Sequence, residues 1–364
     1  MSSENTIKLL SAYEQSAPPT LFLTGLFRSP AENFYESEDV EIDIERTDED
    51  IAIVIQDLST DYRYNADDIY TNKRFKAPIY KEAIALNSSD LIKRSAGENP
   101  FQSPRFRANV VLKMVKGMRK IQRKIARSIE VQAASVLQFG TVTLQDDQGN
   151  DLYTIDYSPK TTHFPTSAIG WGLPGATIFD DLNALSEVIR NDGLSNVDQI
   201  IMGSNAFENF IKDPTAQQRF DNRRVNMGAI SPMQVNGNGG IFRGVVEVGN
   251  YNYDVWTYNG RYKDPQTGVK TQYMDPDKVI MRASSGRLDA TFGAIPNIGL
   301  LLGNQSNNLI PDLPSRMSLP NGSMDLHTNV WLSVNGEQMF GGVGSRPLLI
   351  PTAIDTFGTL NTQP

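Results

Sequence analysis

Apolar and polar positions along this chain follow two periods, and the longest run has the helical one. Between Ser103 and Gln138, Val111, Met114, Met118, Ile121, Ile125, Ile129 and Val136 recur at helical steps. At about 100° per residue they fall within a sector of roughly 80°. The spacing predicts one helix over 103–138, about 36 residues and roughly 54 Å long. Opposite the apolar stripe stand Lys113, Lys116, Arg119, Lys120, Arg123, Lys124 and Arg127, with no acid between Arg105 and Arg127. Such a rod has one face to bury and one charged face that calls for a partner.

The second period is two. Val40, Ile42 and Ile44 alternate with Glu41, Asp43 and Glu45, the pattern of a half-buried strand that Ile51–Ile55 continues. A polar tip, Asp57–Lys73, leads to a second extended run, Phe75–Leu86, so 38–90 predicts a long two-stranded hairpin. A free hairpin is marginal in water, and this one is expected to lie on a neighbouring surface. Residues 1–37 hold a short helix candidate, Ile7–Tyr13, then Ala17-Pro18-Pro19 and an apolar stretch, Leu21–Phe27. They predict an arm that docks onto something, because it is too short and too punctuated to bury its own apolar face.

Beyond the helix, Thr141–Leu144 and Tyr153–Tyr157 flank a turn at Asp147-Gln148-Gly149-Asn150 and predict another hairpin. A helix is expected over 176–191, with Leu182, Leu185, Val188 and Ile189 on one side and Gly193 as its C-cap. Gln199–Met202 follows as a buried strand, then a short helix capped by Ser204 or Asn205. Strands at 241–248, 252–258 and 278–283 complete an α+β unit over 161–284. Residues 285–328 are rich in Gly, Asn, Ser and Pro. Val330-Trp331-Leu332, Gln338-Met339-Phe340 and Pro347–Pro351 are strand-like.

Composition narrows the chemistry. With 364 residues the chain has room for two domains. The absence of cysteine excludes disulfides and thiolate chemistry, and a net charge of −8 opposes sequence-independent nucleic-acid binding by the molecule as a whole. No apolar run approaches the roughly 18 residues of a membrane span, and MSSENTIKLL lacks the features of a signal peptide. The expectation is a soluble protein that stays where it is made.

No catalytic residue, metal or cofactor is expected. His163 and His327 are placed in loops without the spacing of a zinc helix. Gly237-Asn238-Gly239-Gly240 follows no strand and lacks the lysine and hydroxyl of a phosphate loop, which makes it a turn. The acids from Glu36 to Asp50 lack the glycine and twelve-residue rhythm of a calcium loop and predict a solvated or partner-facing strand edge. Nor is there a carboxylate spacing that signals a hydrolase. The basic helix remains, suited to a phosphate backbone or to the acid-rich strand 36–50 of a second copy. Its lack of aromatics between Val110 and Gln138 argues against base stacking.

Several segments occur in an order shared with a known family: Phe75-Lys76-Ala77-Pro78-Ile79-Tyr80-Lys81, Val131-Gln132-Ala133-Ala134-Ser135-Val136-Leu137, Phe220-Asp221-Asn222-Arg223-Arg224, Tyr273-Met274-Asp275-Pro276-Asp277-Lys278-Val279 and Arg346-Pro347-Leu348-Leu349-Ile350-Pro351. With them the chain resembles the lambda-type major capsid (major head) proteins of tailed bacteriophages, which have the Hong Kong 97-like α+β fold. The resemblance implies an N-terminal arm (1–37), an extended E-loop (38–90), a P-domain first part (91–160) holding the spine helix, an A-domain (161–284), and P-domain return strands with a C-terminal tail (285–364). Residues 295–325 depart from the family pattern in being longer and richer in Gly and Asn.

Functionally, the resemblance implies a non-enzymatic subunit that assembles as hexamers and pentamers into an icosahedral head around double-stranded DNA. It would be assembled in the bacterial host cytoplasm and reside in the virion capsid. The implied partners are further copies of the chain, a portal protein, a decoration protein, packaged DNA held by non-specific contact, and a separate scaffolding protein, since no scaffolding segment is seen before the helix. The residues expected at subunit interfaces are Glu41, Asp43, Glu45, Phe75, Tyr80, Lys116, Arg119, Lys120, Arg123, Lys124, Arg127, Arg223 and Arg224. Joint charge reversal at Arg119, Arg123 and Lys124 is expected to block assembly. The alternative reading is an encapsulin-like nanocompartment shell with the same fold.

Overall fold

The structure, a computed structural model, describes residues 19–30, 39–44, 71–87, 106–145, 148–221, 225–226, 229–230, 239–295, 326–333, 335 and 337–364. The helix candidate Ile7–Tyr13, the strand continuation Ile51–Ile55, the acids beyond Ile44 and the loop 296–325 lie outside them.

In chain order, β1 (Asp39–Ile44) pairs antiparallel with β2 (Thr71–Lys76), as the hairpin pattern predicts. The expected return strand Phe75–Leu86 does not run on, however. It breaks at Ala77 and Pro78, and β3 (Tyr80–Asn87) belongs to a different sheet. Proline offers no N–H to a ladder. The Arg346 Nε donates to the Ala77 carbonyl oxygen at 3.0 Å and pins the break in the interior. Helix α1 (Phe106–Phe139) has 34 described residues; the expected first positions 103–105 lie outside the described residues. After it come β4 (Thr141–Gln145) and β5 (Asp151–Asp156), which form the expected hairpin.

Next is α2 (Ile178–Gly193), whose Leu182, Leu185 and Ile189 are buried as the pattern requires. Gly193 does not cap this helix from outside. It forms the last helical position, and Leu194 takes the left-handed conformation at φ 44°. The glycine is needed for approach: a Cβ there would collide with the Asp355 carbonyl oxygen. Gly193→Ala is therefore expected to lower stability by about 2 kcal/mol, read as a shift in the urea unfolding midpoint.

The middle continues with β6 (Gln199–Met202), α3 (Ser204–Lys212), α4 (Pro214–Arg219), β7 (Phe220–Asp221), β8 (Val225–Asn226), β9 (Ala229–Ile230), β10 (Gly240–Val248), β11 (Tyr251–Tyr258), β12 (Arg261–Lys263), β13 (Lys270–Gln272) and β14 (Lys278–Arg282). The start of α3 uses neither Ser204 nor Asn205 as a side-chain cap. Instead the Asn205 and Ala206 N–H groups donate to the Pro276 carbonyl at 3.0 Å. Last come β15 (Asp289–Phe292), β16 (His327–Leu332), β17 (Gln338–Ser345), β18 (Pro347–Ile350) and β19 (Phe357–Asn361). His327 thus stands on a strand and not in a loop. Burial, with Lys81 nearby, holds its imidazole below the usual histidine range.

Six strands in the order β19-β14-β6-β11-β10-β7 make the central sheet, in which only β6 and β11 run parallel. Residues 357–361, within the stretch expected as P-domain return strands and C-terminal tail, form the edge of this sheet, with Phe357 opposite Arg282. One side of the sheet packs on α2 and α3 through Leu182, Ile189, Ile200, Phe210, Val255 and Val279. The other packs on the second half of α1 through Ile201, Tyr258, Ile280 and Phe357. The first half of α1 lies on the three-stranded sheet β16-β17-β3, where Met114, Met118, Ile121 and Ile125 meet Leu86, Val330 and Val343.

The described part of the arm has a defined seat. Phe22, Leu23 and Phe27 are buried in the core of their own chain, so this stretch docks at home. Glycines make the room: Gly239 sits at φ 92°, and a Cβ on Gly240 would collide with the Phe22 ring. Gly240 opens β10, Gly237 and Asn238 of the expected turn lie outside the described residues, and the two glycines are the seat of the arm.

Candidate assembly surfaces

Helix α1 presents two different halves to its surroundings. Lys116, Arg119, Lys120 and Lys124 are exposed, and Arg123 and Arg127 are half-buried. Among the described residues Lys116, Arg119 and Lys120 have no ion-pair partner. Lys124 pairs with Glu82 of β3 in its own chain. The Lys124 side chain is 61% exposed, which leaves that pair in high dielectric with little effect on stability. The basic face thus survives folding over the first half of the helix, with Lys124 partly answered from within.

From Glu130 to Gln138 the helix is largely buried. Even its polar residues Glu130, Gln132 and Gln138 are at most 4% exposed. Glu130, the helix's one acid, lies on the angular continuation of the cationic face. Its Oε1 accepts the Leu23 N–H at 2.8 Å, and its Oε2 accepts the Thr24 N–H at 2.9 Å and the Thr24 hydroxyl at 2.6 Å. These donors open the 3-10 turn Thr24–Leu26, whose first N–H groups have no partner of their own. Nearby, the Tyr258 hydroxyl donates to the Thr20 carbonyl at 3.2 Å. Burial, and then the Glu130 carboxylate, push Tyr258 upward and the Tyr273 hydroxyl up to about 12. The sequence signal for this clamp was a lone acid where the run of cations ends.

The other expected interface residues fall in three groups. Phe75 and Tyr80 turn inward: the Phe75 ring lies 5.3 Å from that of Tyr157, and the Gln132 Nε2 donates to the Tyr80 hydroxyl at 2.7 Å. Their first duty is inside their own subunit. Glu41 and Asp43 lie on β1, where the register sets them opposite Arg74 and Asn72. Glu45, Arg223 and Arg224 lie outside the described residues.

An open groove of about 460 Å³ separates the end of α1 from β13 and the loop after it. Gln138 spans its floor, donating to the Ala134 and Tyr273 carbonyls and accepting the Asp275 N–H. His163 is buried, with Nδ1 2.8 Å from the Phe357 carbonyl oxygen and Nε2 3.0 Å from Asp192. Lys160, and then His163, hold the Asp192 carboxyl below the usual range. The histidine joins α2 to β19 as packing. Among the described residues, no three metal-binding side chains cluster and no helix is long and apolar enough to cross a membrane.

This arrangement of a long helix, a projecting hairpin, a central mixed sheet and returning strands resembles a solved structure, the candidate capsid protein of a prophage in E. coli CFT073. The two align with a TM-score of 0.59 at 15% identity, over 80% of this chain and 79% of that one. The chain therefore has the Hong Kong 97-like capsid fold. Residues 6–360 match the family of phage major capsid protein E, and the chain belongs to that family. It is a major capsid protein, a structural component of the virion capsid that forms a shell with further copies of itself. Structures from Microbacterium phage Oxtober96 (10% identity, 97% of this chain and 94% of that one, TM-score 0.47) and of the holo-SrpI encapsulin complex from Synechococcus elongatus PCC 7942 (11%, 97% and 91%, 0.47) are more distant and carry no weight. No curated protein sequence matches the chain.

Proposed function

We propose that this major capsid protein assembles as hexamers and pentamers into an icosahedral head around double-stranded DNA, and that it does so without catalysis. The observation that carries the reading is the exposed cluster Lys116, Arg119 and Lys120, on a helix largely buried from Glu130 to Gln138, in a chain of the capsid family. In this proposal the hairpin β1–β2 is the E-loop that overlaps a neighbour, α1 is the spine of the P-domain, and the central sheet is the core of the A-domain. Weak contacts repeated by symmetry close the shell. The basic face meets either the acid-rich strand of the next copy or the packaged phosphate backbone. Portal, separate scaffolding and decoration proteins are the further partners, and assembly takes place in the host cytoplasm. No observation favours the nanocompartment alternative.

Electron microscopy of the purified chain, with its solution mass by light scattering, tests the reading. Closed shells, or pentameric and hexameric capsomers, are expected. A stable monomer or dimer across protein concentration and salt would sink it.

A further inference from the structure

Arg282 ends β14 with its side chain only 6% exposed. Its Nε has no hydrogen-bond acceptor among the described residues. The acids around it are already engaged. The Asp198 N–H donates to the Arg282 carbonyl at 3.2 Å, which makes the two backbone neighbours. The Asp198 carboxylate nevertheless turns to Ser284, accepting its N–H at 2.7 Å and its hydroxyl. Asp289 accepts the Arg287 Nε at 2.6 Å and the Thr352 hydroxyl at 2.7 Å.

A second cation deepens the imbalance. Arg28 is held beside Asp289, its N–H donating to the Leu288 carbonyl at 2.8 Å while its own carbonyl accepts the Ala290 N–H at 2.7 Å. Its exposed side chain lies within electrostatic reach of Arg282. Burial holds the Arg282 guanidinium below its usual range, Asp198 partly offsets this, and Arg28 adds to it. A buried guanidinium that lacks an acceptor and faces a second cation is strongly unfavourable in an isolated subunit. The fold holds the imbalance in place through backbone bonds that do not depend on either side chain.

We propose that Arg282 and Arg28 form a receiving site for a carboxylate supplied by a second copy of this chain. The ion pair is completed only in the assembled shell. A second copy is the source because this protein forms shells of its own copies and carries 42 acids against 34 lysines and arginines. A guanidinium takes a carboxylate through paired N–H groups, which gives the contact direction as well as strength.

The experiment compares the full-length wild type with Arg282→Met and Arg28→Ala. Sedimentation measures the protein concentration at which half the chain is in shells, and thermal unfolding is followed on the unassembled fraction. Arg282→Met keeps the volume and removes the charge, so the unassembled subunit should be as stable as wild type or more so. Its half-assembly concentration should rise at least about tenfold. Arg28→Ala, at an exposed position, should raise that concentration without changing subunit stability. A lower melting temperature for unassembled Arg282→Met, or failure to obtain it folded, would make Arg282 a support of its own subunit and overturn the proposal. So would shells that form normally from either variant, including shells whose only defect is lost DNA, which would assign the site to phosphate. The proposal rests on shell formation by the wild type; if wild type itself stays unassembled, the shell reading fails and not this site.

Discussion

Glu130→Ala is expected to free the arm segment around Leu23 from α1 and to lower the unfolding free energy by about 4 kcal/mol. The carboxylate is fully buried and accepts three hydrogen bonds, two of them from the first N–H groups of a 3-10 turn. Alanine removes every acceptor at once. The Leu23 N–H is buried and would then have neither protein nor water to bond. Glu130→Gln keeps one carbonyl acceptor and should cost about 2 kcal/mol. Chemical denaturation gives the two values. Limited trypsin digestion supplies a local readout, because a released arm exposes the bond after Arg28 while α1 stays protected. If the alanine variant lost under about 1 kcal/mol and gained no cleavage at Arg28, the clamp would be a bystander.

Joint reversal of Lys116, Arg119 and Lys120 to glutamate is expected to reduce assembled particles by roughly a hundredfold while the subunit stays folded. These three are exposed and without ion-pair partners among the described residues, so their replacement disturbs no internal contact. This makes them a cleaner choice than a set including Lys124, whose pairing with Glu82 confounds the result. Like charges brought together across a contact cost several kcal/mol, and about 2.8 kcal/mol corresponds to a hundredfold. Circular dichroism checks the fold, and sedimentation with electron microscopy counts the particles. Loss of particles assigns the face to a neighbouring copy. Normal particles without DNA assign it to packaged phosphate. Normal, filled particles would show the charge to be merely solvated and remove the electrostatic part of the proposed function.

Folding redistributes the basic stripe. It stops before Glu130, where the carboxylate holds the arm and the helix enters the main core. Assembly contacts are therefore expected from the portion beside β3, at the base of the hairpin, and not along the whole rod. Tyr80 and Phe75 are inward-facing through contacts of their own: Gln132 binds the Tyr80 hydroxyl, and the Phe75 ring packs on Tyr157.

What the sequence by itself determined was whatever a single segment decides locally. The apolar stripe of α1, the buried side of α2, and the strands β6, β10, β11 and β14 are written in periods of 3.6 and 2, since neighbouring positions on one element face the same environment. Only the tertiary structure decided where unpaired edges and stray charges find partners. That β19 closes the central sheet against β14, that β3 leaves the hairpin to join β17, and that Glu130 clamps the arm are contacts between residues far apart in the chain. An edge strand's hydrogen bonds are satisfied equally well by many partners, and a carboxylate by any donors. Which of them meet is settled by the packing of the whole chain, and among the described residues the Arg282 Nε finds no hydrogen-bond acceptor.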